Sequence, residues 1–111
     1  MSTIQKFEDL EIWQLARVLA KDIFLLTQNG KLSKKFSLKD QMGRSSGSIM
    51  DNIAEGFGRA SRLEFIQFLS ISTGSADELK SQLYRCFDKE YISKDIFDTL
   101  YEKTNAIYKK I

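Results

Sequence analysis

The sequence predicts an all-α fold, an antiparallel up-and-down four-helix bundle with left-handed twist. Three observations carry this expectation. Apolar residues recur at 4-3 spacing through several segments, the pattern of helices that wrap around one another. The chain has no proline, so no helix interior loses an N–H or meets a ring clash. The segments are joined by connectors of about three to nine residues, which force antiparallel neighbours. No strand-like alternation competes, and no internal repeat is evident.

The first helix is expected over residues 9–28. Asp9 is its candidate N-cap, and Glu11 suits the positive end of the helix dipole. Ile12, Ala16, Leu19, Ile23 and Leu26 form one stripe, with Trp13, Ala20 and Phe24 beside it. An apolar arc this wide predicts contact with more than one neighbour. Asn29-Gly30 supplies the stop, because both tolerate left-handed backbone.

The second helix is expected over residues 37–55, after a basic connector that holds Lys31, Lys34 and Lys35. Ser37-Leu-Lys-Asp40 resembles a capping box with Asp in the last place. Leu38, Met42, Ile49 and Ile53 point one way, while Gly43, Gly47 and Ala54 leave a flank without bulk. Interior glycines cost about 1 kcal/mol each relative to alanine, which predicts a compensating close helix approach, within the subunit or between subunits. Gly56-Phe57-Gly58 is expected to break the chain.

Ser61-Arg-Leu-Glu64 is a full capping box and opens the third helix, expected over residues 61–90. Phe65, Leu69, Ser72, Ala76, Leu79, Leu83 and Cys86 make an unbroken heptad seam. Its middle is small, Ser70 to Ala76, and reads as a waist where another helix approaches; a break at Gly74 is the rival. Ser93 caps the fourth helix, expected over residues 94–110. Ile96, Leu100, Thr104, Ile107 and Ile111 form its buried stripe. Phe97, Tyr101 and Tyr108 line the next face, either core or interface.

Composition agrees with one globular domain of 111 residues, 42% hydrophobic and 29% charged. A single cysteine makes no intrachain disulfide, and no signal-like or membrane-spanning apolar run is present, so a cytoplasmic protein is expected. There is no histidine, which removes the commonest general base and metal ligand. Cys86 falls on the heptad seam as a core residue. No catalytic residue, metal site, cofactor or small-molecule substrate is expected.

Net charge is only +2, yet residues 30–62 hold seven basic and three acidic groups. Lys31, Lys34, Lys35, Lys39, Arg44, Arg59 and Arg62 are therefore candidate contacts for nucleic-acid phosphates or another anion. The connector, the second helix and the loop after it could present them together. Arg59 and Arg62 also flank the N-terminus of the third helix, where an anion is favoured, although Ser61 and Glu64 compete for its N–H groups. One copy of the patch is weak; a symmetric oligomer would multiply it. The competing reading is a protein–protein scaffold without a nucleic-acid role.

Three stretches carry a family resemblance: Phe7-Glu-Asp-Leu-Glu-Ile-Trp13 with Ala16, Asn52-Ile-Ala-Glu-Gly-Phe-Gly-Arg59, and Ser61 to Ser75. Together they resemble the four-helix-bundle family of 23S rRNA intervening-sequence proteins. The resemblance implies an antiparallel bundle assembled as a homopentameric ring, with RNA or DNA as the partner proposed for the family and no catalytic residues to carry over. By resemblance Asn52, Glu55, Gly56, Gly58 and Arg59 are signature positions. Read from their own chemistry, Asn52 and Glu55 tie helix ends and the glycines shape the turn. The chain departs from the family where a proline usually stands two residues before the asparagine; here the residues are Met50-Asp51. Ser45-Ser-Gly-Ser48 replaces an alanine-rich run, and the missing proline predicts a straighter second helix.

Overall fold

The structure, a computed structural model, describes residues 3–111. In chain order it has a short 3-10 turn at Phe7–Asp9, α1 at Glu11–Thr27, a second 3-10 turn at Lys31–Lys34, α2 at Phe36–Phe57, α3 at Arg62–Asp88 and α4 at Lys94–Lys110. Side-chain pairings establish the antiparallel order. Ser45 meets Glu78 and Ser48 meets Ser75 across α2 and α3. Lys80 meets Asn105 across α3 and α4, with the Tyr84 ring against Phe97. Lys103 bridges to Asp22 and Lys110 to Glu11, closing α4 onto α1.

The buried core follows the 4-3 stripes. Ala16, Leu19 and Ile23 come from α1, and Leu38, Met42, Ile49 and Ile53 from α2. Ala76, Leu79, Leu83 and Cys86 come from α3, and Leu100 and Ile107 from α4. The ends of the stripes are less covered: Ile12, Leu26, Leu69 and Ile111 are half-buried, and Ile96 is exposed. Helix length explains the partial cover of Leu69. α3 has 27 residues, against 17 each in α1 and α4. At about 1.5 Å per residue, and with Lys80 level with Asn105, α4 ends near Ser75. The first turns of α3 therefore pack only on α2, and the seam is fully buried only from Ser72 onward. Leu63, Ile66 and Ile71 stay in solvent on this projecting hairpin.

Local expectations divide into those met and those corrected. Ser61 Oγ accepts from the Glu64 N–H at 3.1 Å, and Ser93 Oγ accepts from the Ile96 N–H at 3.2 Å, as the two cap motifs predict. Asp9 caps nothing: it lies in the 3-10 turn, and Leu10 opens α1 without a side-chain bond. Ser37 is already inside α2, where its hydroxyl accepts from Gln41 Nε2; Lys35 precedes the helix and no side chain caps it. α2 runs through Gly56 to Phe57 rather than stopping at 55. α3 is continuous through Gly74, so the rival break is excluded, and it ends at Asp88.

Within the chain, Gly43, Gly47 and Gly74 make no close helix approach: an added Cβ there would meet nothing within 4 Å. Hydroxyls hold that part of the seam instead. Ser72 Oγ donates to the Ile49 carbonyl at 2.9 Å, fully buried between α2 and α3. The aromatic face of α4 is largely intrachain: Phe97 and Tyr101 pack against Tyr84 of α3, and the Lys80 amine lies 4.4 Å from the centre of the Tyr108 ring.

α3 closes with its Tyr91 N–H donating to the Cys86 carbonyl at 2.8 Å, which requires a left-handed residue between them. Glu90 fills that position at φ 61°, the only non-glycine residue with positive φ among those described. Left-handed backbone costs a side-chain-bearing residue roughly 1–2 kcal/mol, part of which glycine loses again in chain entropy. Glu90→Gly is therefore expected to raise unfolding free energy by about 0.5–1 kcal/mol in urea titrations followed by circular dichroism.

Candidate nucleic-acid interface

The antiparallel order decides where each basic candidate lies. Lys34 ends the second 3-10 turn, Lys35 precedes α2, and Lys39 sits in the first turn of α2. All three stand at the end of the bundle where α1 and α3 finish. Arg59 and Arg62 stand at the other end, in the loop and first turn that lead into α3. Lys39 and Arg59 are separated by nearly the whole of α2, about 30 Å at helical rise. The seven candidates do not converge; they form two groups, Lys31 lying with the connector lysines, with Arg44 on the α2 surface between them.

The two groups also differ in how free their charges are. Arg59 Nη2 bonds Glu55 Oε1 at 2.9 Å, and its guanidinium lies 5.0 Å from the centre of the Phe68 ring. Arg44 pairs with Asp40 at 3.1 Å, with both side chains well exposed. Such surface pairs are worth at most about 1 kcal/mol, but each one offsets a cation locally. The lysines of the connector form no such pair among the described residues; Lys35 instead rests its amine 5.2 Å above the Tyr91 ring.

Packing adds cations to the connector end that the charge run did not reveal. Arg85 of α3 donates to Gln41 Oε1 at 3.0 Å, two residues along α2 from Lys39. Lys89 caps the end of α3. The same end carries Asp88 and Glu90, so the positive excess is moderate and borne by flexible lysines. Phe36 is the other group that the charge pattern passed over. It opens α2 directly after Lys34 and Lys35 and is 76% exposed. Its position almost opposite the Leu38–Met42 stripe was the available sequence signal, whereas Arg85 and Lys89 had none short of the fold.

Two shallow grooves flank this end. One, about 450 Å³, lies between α1 and α2; Gly43 and Gly47 form part of its floor, Phe24 stands at its wall, and Lys39 and Arg44 line it. The other, about 650 Å³, lies between α1 and α4 among Leu25, Leu26, Ile96 and Leu100, with Asp22 and Lys103 beside them. Neither gathers a nucleophile with a base. Among the described residues no three His, Cys, Asp or Glu side chains cluster as a metal site. Cys86 is buried, and its Sγ donates to Met42 Sδ at 3.5 Å. Burial pushes its thiol from 9.0 up to about 11, against the opposing pull of the Arg85 and Lys89 charges.

The signature positions have structural roles, though not all as expected. Asn52 Nδ2 donates to the Ser48 carbonyl at 2.8 Å and to Ser48 Oγ at 3.0 Å, and that hydroxyl shares a 2.7 Å bond with Ser75. Asn52 thus braces the middle of the α2–α3 contact rather than a helix end. Ser45 Oγ adds a 2.7 Å bond to Glu78. Gly56 is buried inside α2, where a Cβ would fall 2.5 Å from the Phe68 Cβ; it permits helix contact and does not shape the turn. Gly58 has φ −76°, ordinary for any residue, and a Cβ there meets only ordinary contacts, the Glu55 carbonyl at 3.5 Å and the Ala54 carbonyl at 3.9 Å.

Comparison with known proteins agrees with this architecture. The sequence model of the family described as 23S rRNA-intervening sequence protein matches residues 8–111. A solved structure from Bacteroides thetaiotaomicron, described as a protein with unknown function from the S23 ribosomal protein family, superposes with a TM-score of 0.82 at 26% identity. The match covers 89% of this chain and 93% of that one. No curated protein matches.

Two expectations follow from these contacts. Gly56→Ala forces an unyielding Cβ–Cβ clash and should destabilise the fold by about 1–3 kcal/mol, while Gly58→Ala stays within about 0.5 kcal/mol of the parent. Equal urea midpoints for the two variants would remove the close approach as a constraint. The raised Cys86 pKa favours the folded state fully below pH 9; that contribution is lost as pH climbs from 9 towards about 11, because the unfolded thiol ionises first. Cys86→Val should flatten the fall in stability over this window, measured by thermal melts across pH.

Proposed function

This chain belongs to the 23S rRNA-intervening sequence protein family, and from that premise we propose that it is a non-enzymatic, self-associating bundle that binds RNA or DNA through its connector end. The observation that supports the reading is the grouping of Lys31, Lys34, Lys35 and Lys39 with Arg85 and Lys89 around one end of the bundle. Lysine and arginine bind nucleic acid by displacing counterions condensed on the phosphates, and need no deep cleft. Arg59 and Arg62 form a second, smaller contact at the far end, partly occupied by Glu55.

Self-association completes the proposal. A single chain with net charge +2 offers few phosphate contacts. A ring of five copies, the assembly implied by the family resemblance, repeats the basic end and raises avidity. The apolar side chains left in water on the α2–α3 hairpin, Leu63, Ile66 and Ile71, support such an assembly. Exposed apolar groups in one region commonly mark contact surfaces.

Filter binding of a structured RNA at two salt concentrations tests the first half. Affinity is expected to fall steeply with salt, with a log–log slope of about −0.9 per phosphate neutralised on a duplex. The triple variant Lys34→Gln/Lys35→Gln/Lys39→Gln should lose most of the binding, and Arg59→Gln/Arg62→Gln much less. No binding at low salt, or binding indifferent to salt, removes the nucleic-acid reading. Light scattering tests the second half: a monomer at micromolar concentration contradicts the assembly.

A further inference from the structure

We infer that Phe36 is a stacking platform for an unpaired base of single-stranded nucleic acid, with Lys34, Lys35 and Lys39 holding the neighbouring phosphates. The inference rests on the nucleic-acid reading above and goes beyond it by naming the form of the partner and the side chain that selects it.

Phe36 is the most exposed large hydrophobic residue among those described, at 76%. Packing does not require it there. It opens α2 on the side away from Leu38 and Met42, and no other ring of the described chain lies against it. Eight of the chain's thirteen aromatic side chains, such as Tyr84 and Phe97, find ring partners, and Phe68, Tyr91 and Tyr108 lie against a cation; among the described residues only Phe24 and Phe36 have neither, and Phe36 is the more exposed of the two. Water around a bare phenyl ring is unfavourable, and the ring gains most from a flat, weakly polar face laid on it.

The surroundings of the ring select the owner of that face. Lys34 and Lys35 immediately precede it in the chain, and Lys39 follows at i+3 on the same side of α2. The nearest acid on that side, Asp40, is engaged by Arg44 at 3.1 Å. A partner surface that carries cations would be repelled by these lysines. A nucleic-acid strand supplies a π-face together with a phosphate on either side of it. In a duplex the base faces are covered by their neighbours, so phenyl stacking demands an unpaired base, as in a loop or single strand.

The test compares a fluorescein-labelled oligonucleotide without self-complementarity with a hairpin duplex of equal phosphate count, by anisotropy at low salt. The wild type is expected to favour the single strand. Phe36→Ala should weaken single-strand binding by about 5- to 100-fold, the range for loss of one base–aromatic stack, and leave duplex binding unchanged. Phe36→Trp should restore it. Because the ring is exposed, the alanine variant keeps its helical circular dichroism and melting midpoint. A 2-aminopurine in the strand should change emission with the wild type and not with Phe36→Ala. If Phe36→Ala binds the single strand as tightly as the wild type while binding stays salt-dependent, the stacking inference falls and the phosphate-contact reading stands. If the wild type binds neither probe, both fall. If Phe36→Ala instead lowers the assembled mass in light scattering and leaves binding intact, the ring is a subunit contact and the inference is overturned.

Discussion

The contact between α2 and α3 sets the terms for the rest of this molecule. These are the two longest helices, and each packs more extensively on the other than on any further element. Small residues and hydroxyls make the approach possible. Gly56 lies where any side chain would strike Phe68. Ser72 reaches the Ile49 carbonyl, Ser48 meets Ser75, and Ser45 meets Glu78. Hydroxyls buried at such a seam must be paired, because an orphaned one costs roughly 1–3 kcal/mol. The pairing therefore selects one register of α2 against α3. Within the Ser45-Ser-Gly-Ser48 run, Ser45 and Ser48 do this work through their hydroxyls, while Ser46 bonds carbonyls of its own helix.

Once that hairpin is placed, the remaining geometry follows from lengths. α1 and α4 are shorter and close the bundle from the connector end, tied by Asp22–Lys103 and Glu11–Lys110. The free tip of the hairpin projects with Leu63 and Ile66 in solvent. The connector end, by contrast, gathers every element: the end of α1, the start of α2, the end of α3 and the start of α4. The lysines accumulate there, and Arg85 joins them through Gln41.

Binding to a polyanion needs cations with freedom to adjust and a face that the polyanion can complement. On the proposed nucleic-acid reading, the connector-end lysines and the exposed Phe36 ring meet that need at little cost to the fold, since the core lies one helix layer away. The heavily braced Arg59, held by Glu55 and Phe68, is more constrained and contributes more to the hairpin tip than to a flexible contact.

The number of helices, their faces and two of their caps were legible in the amino-acid order alone, because helical periodicity and the Ser61 and Ser93 caps act over three or four residues. The same local reasoning misplaced Asp9 and Ser37 as caps, since a side chain caps only where the backbone happens to bend, and here α1 starts two residues later and α2 starts earlier. It also read Gly56 as part of a turn, because a glycine that relieves a clash with a residue twelve positions away looks the same in sequence as one that opens a loop. What only the tertiary structure decided was distance. A basic run of thirty-odd residues looked like one patch, but the 22-residue α2 carried its two halves to opposite ends. Folding then brought Arg85 and Lys89 to the lysines from half a chain away, since helix register, set by long-range packing, is not written in any short stretch.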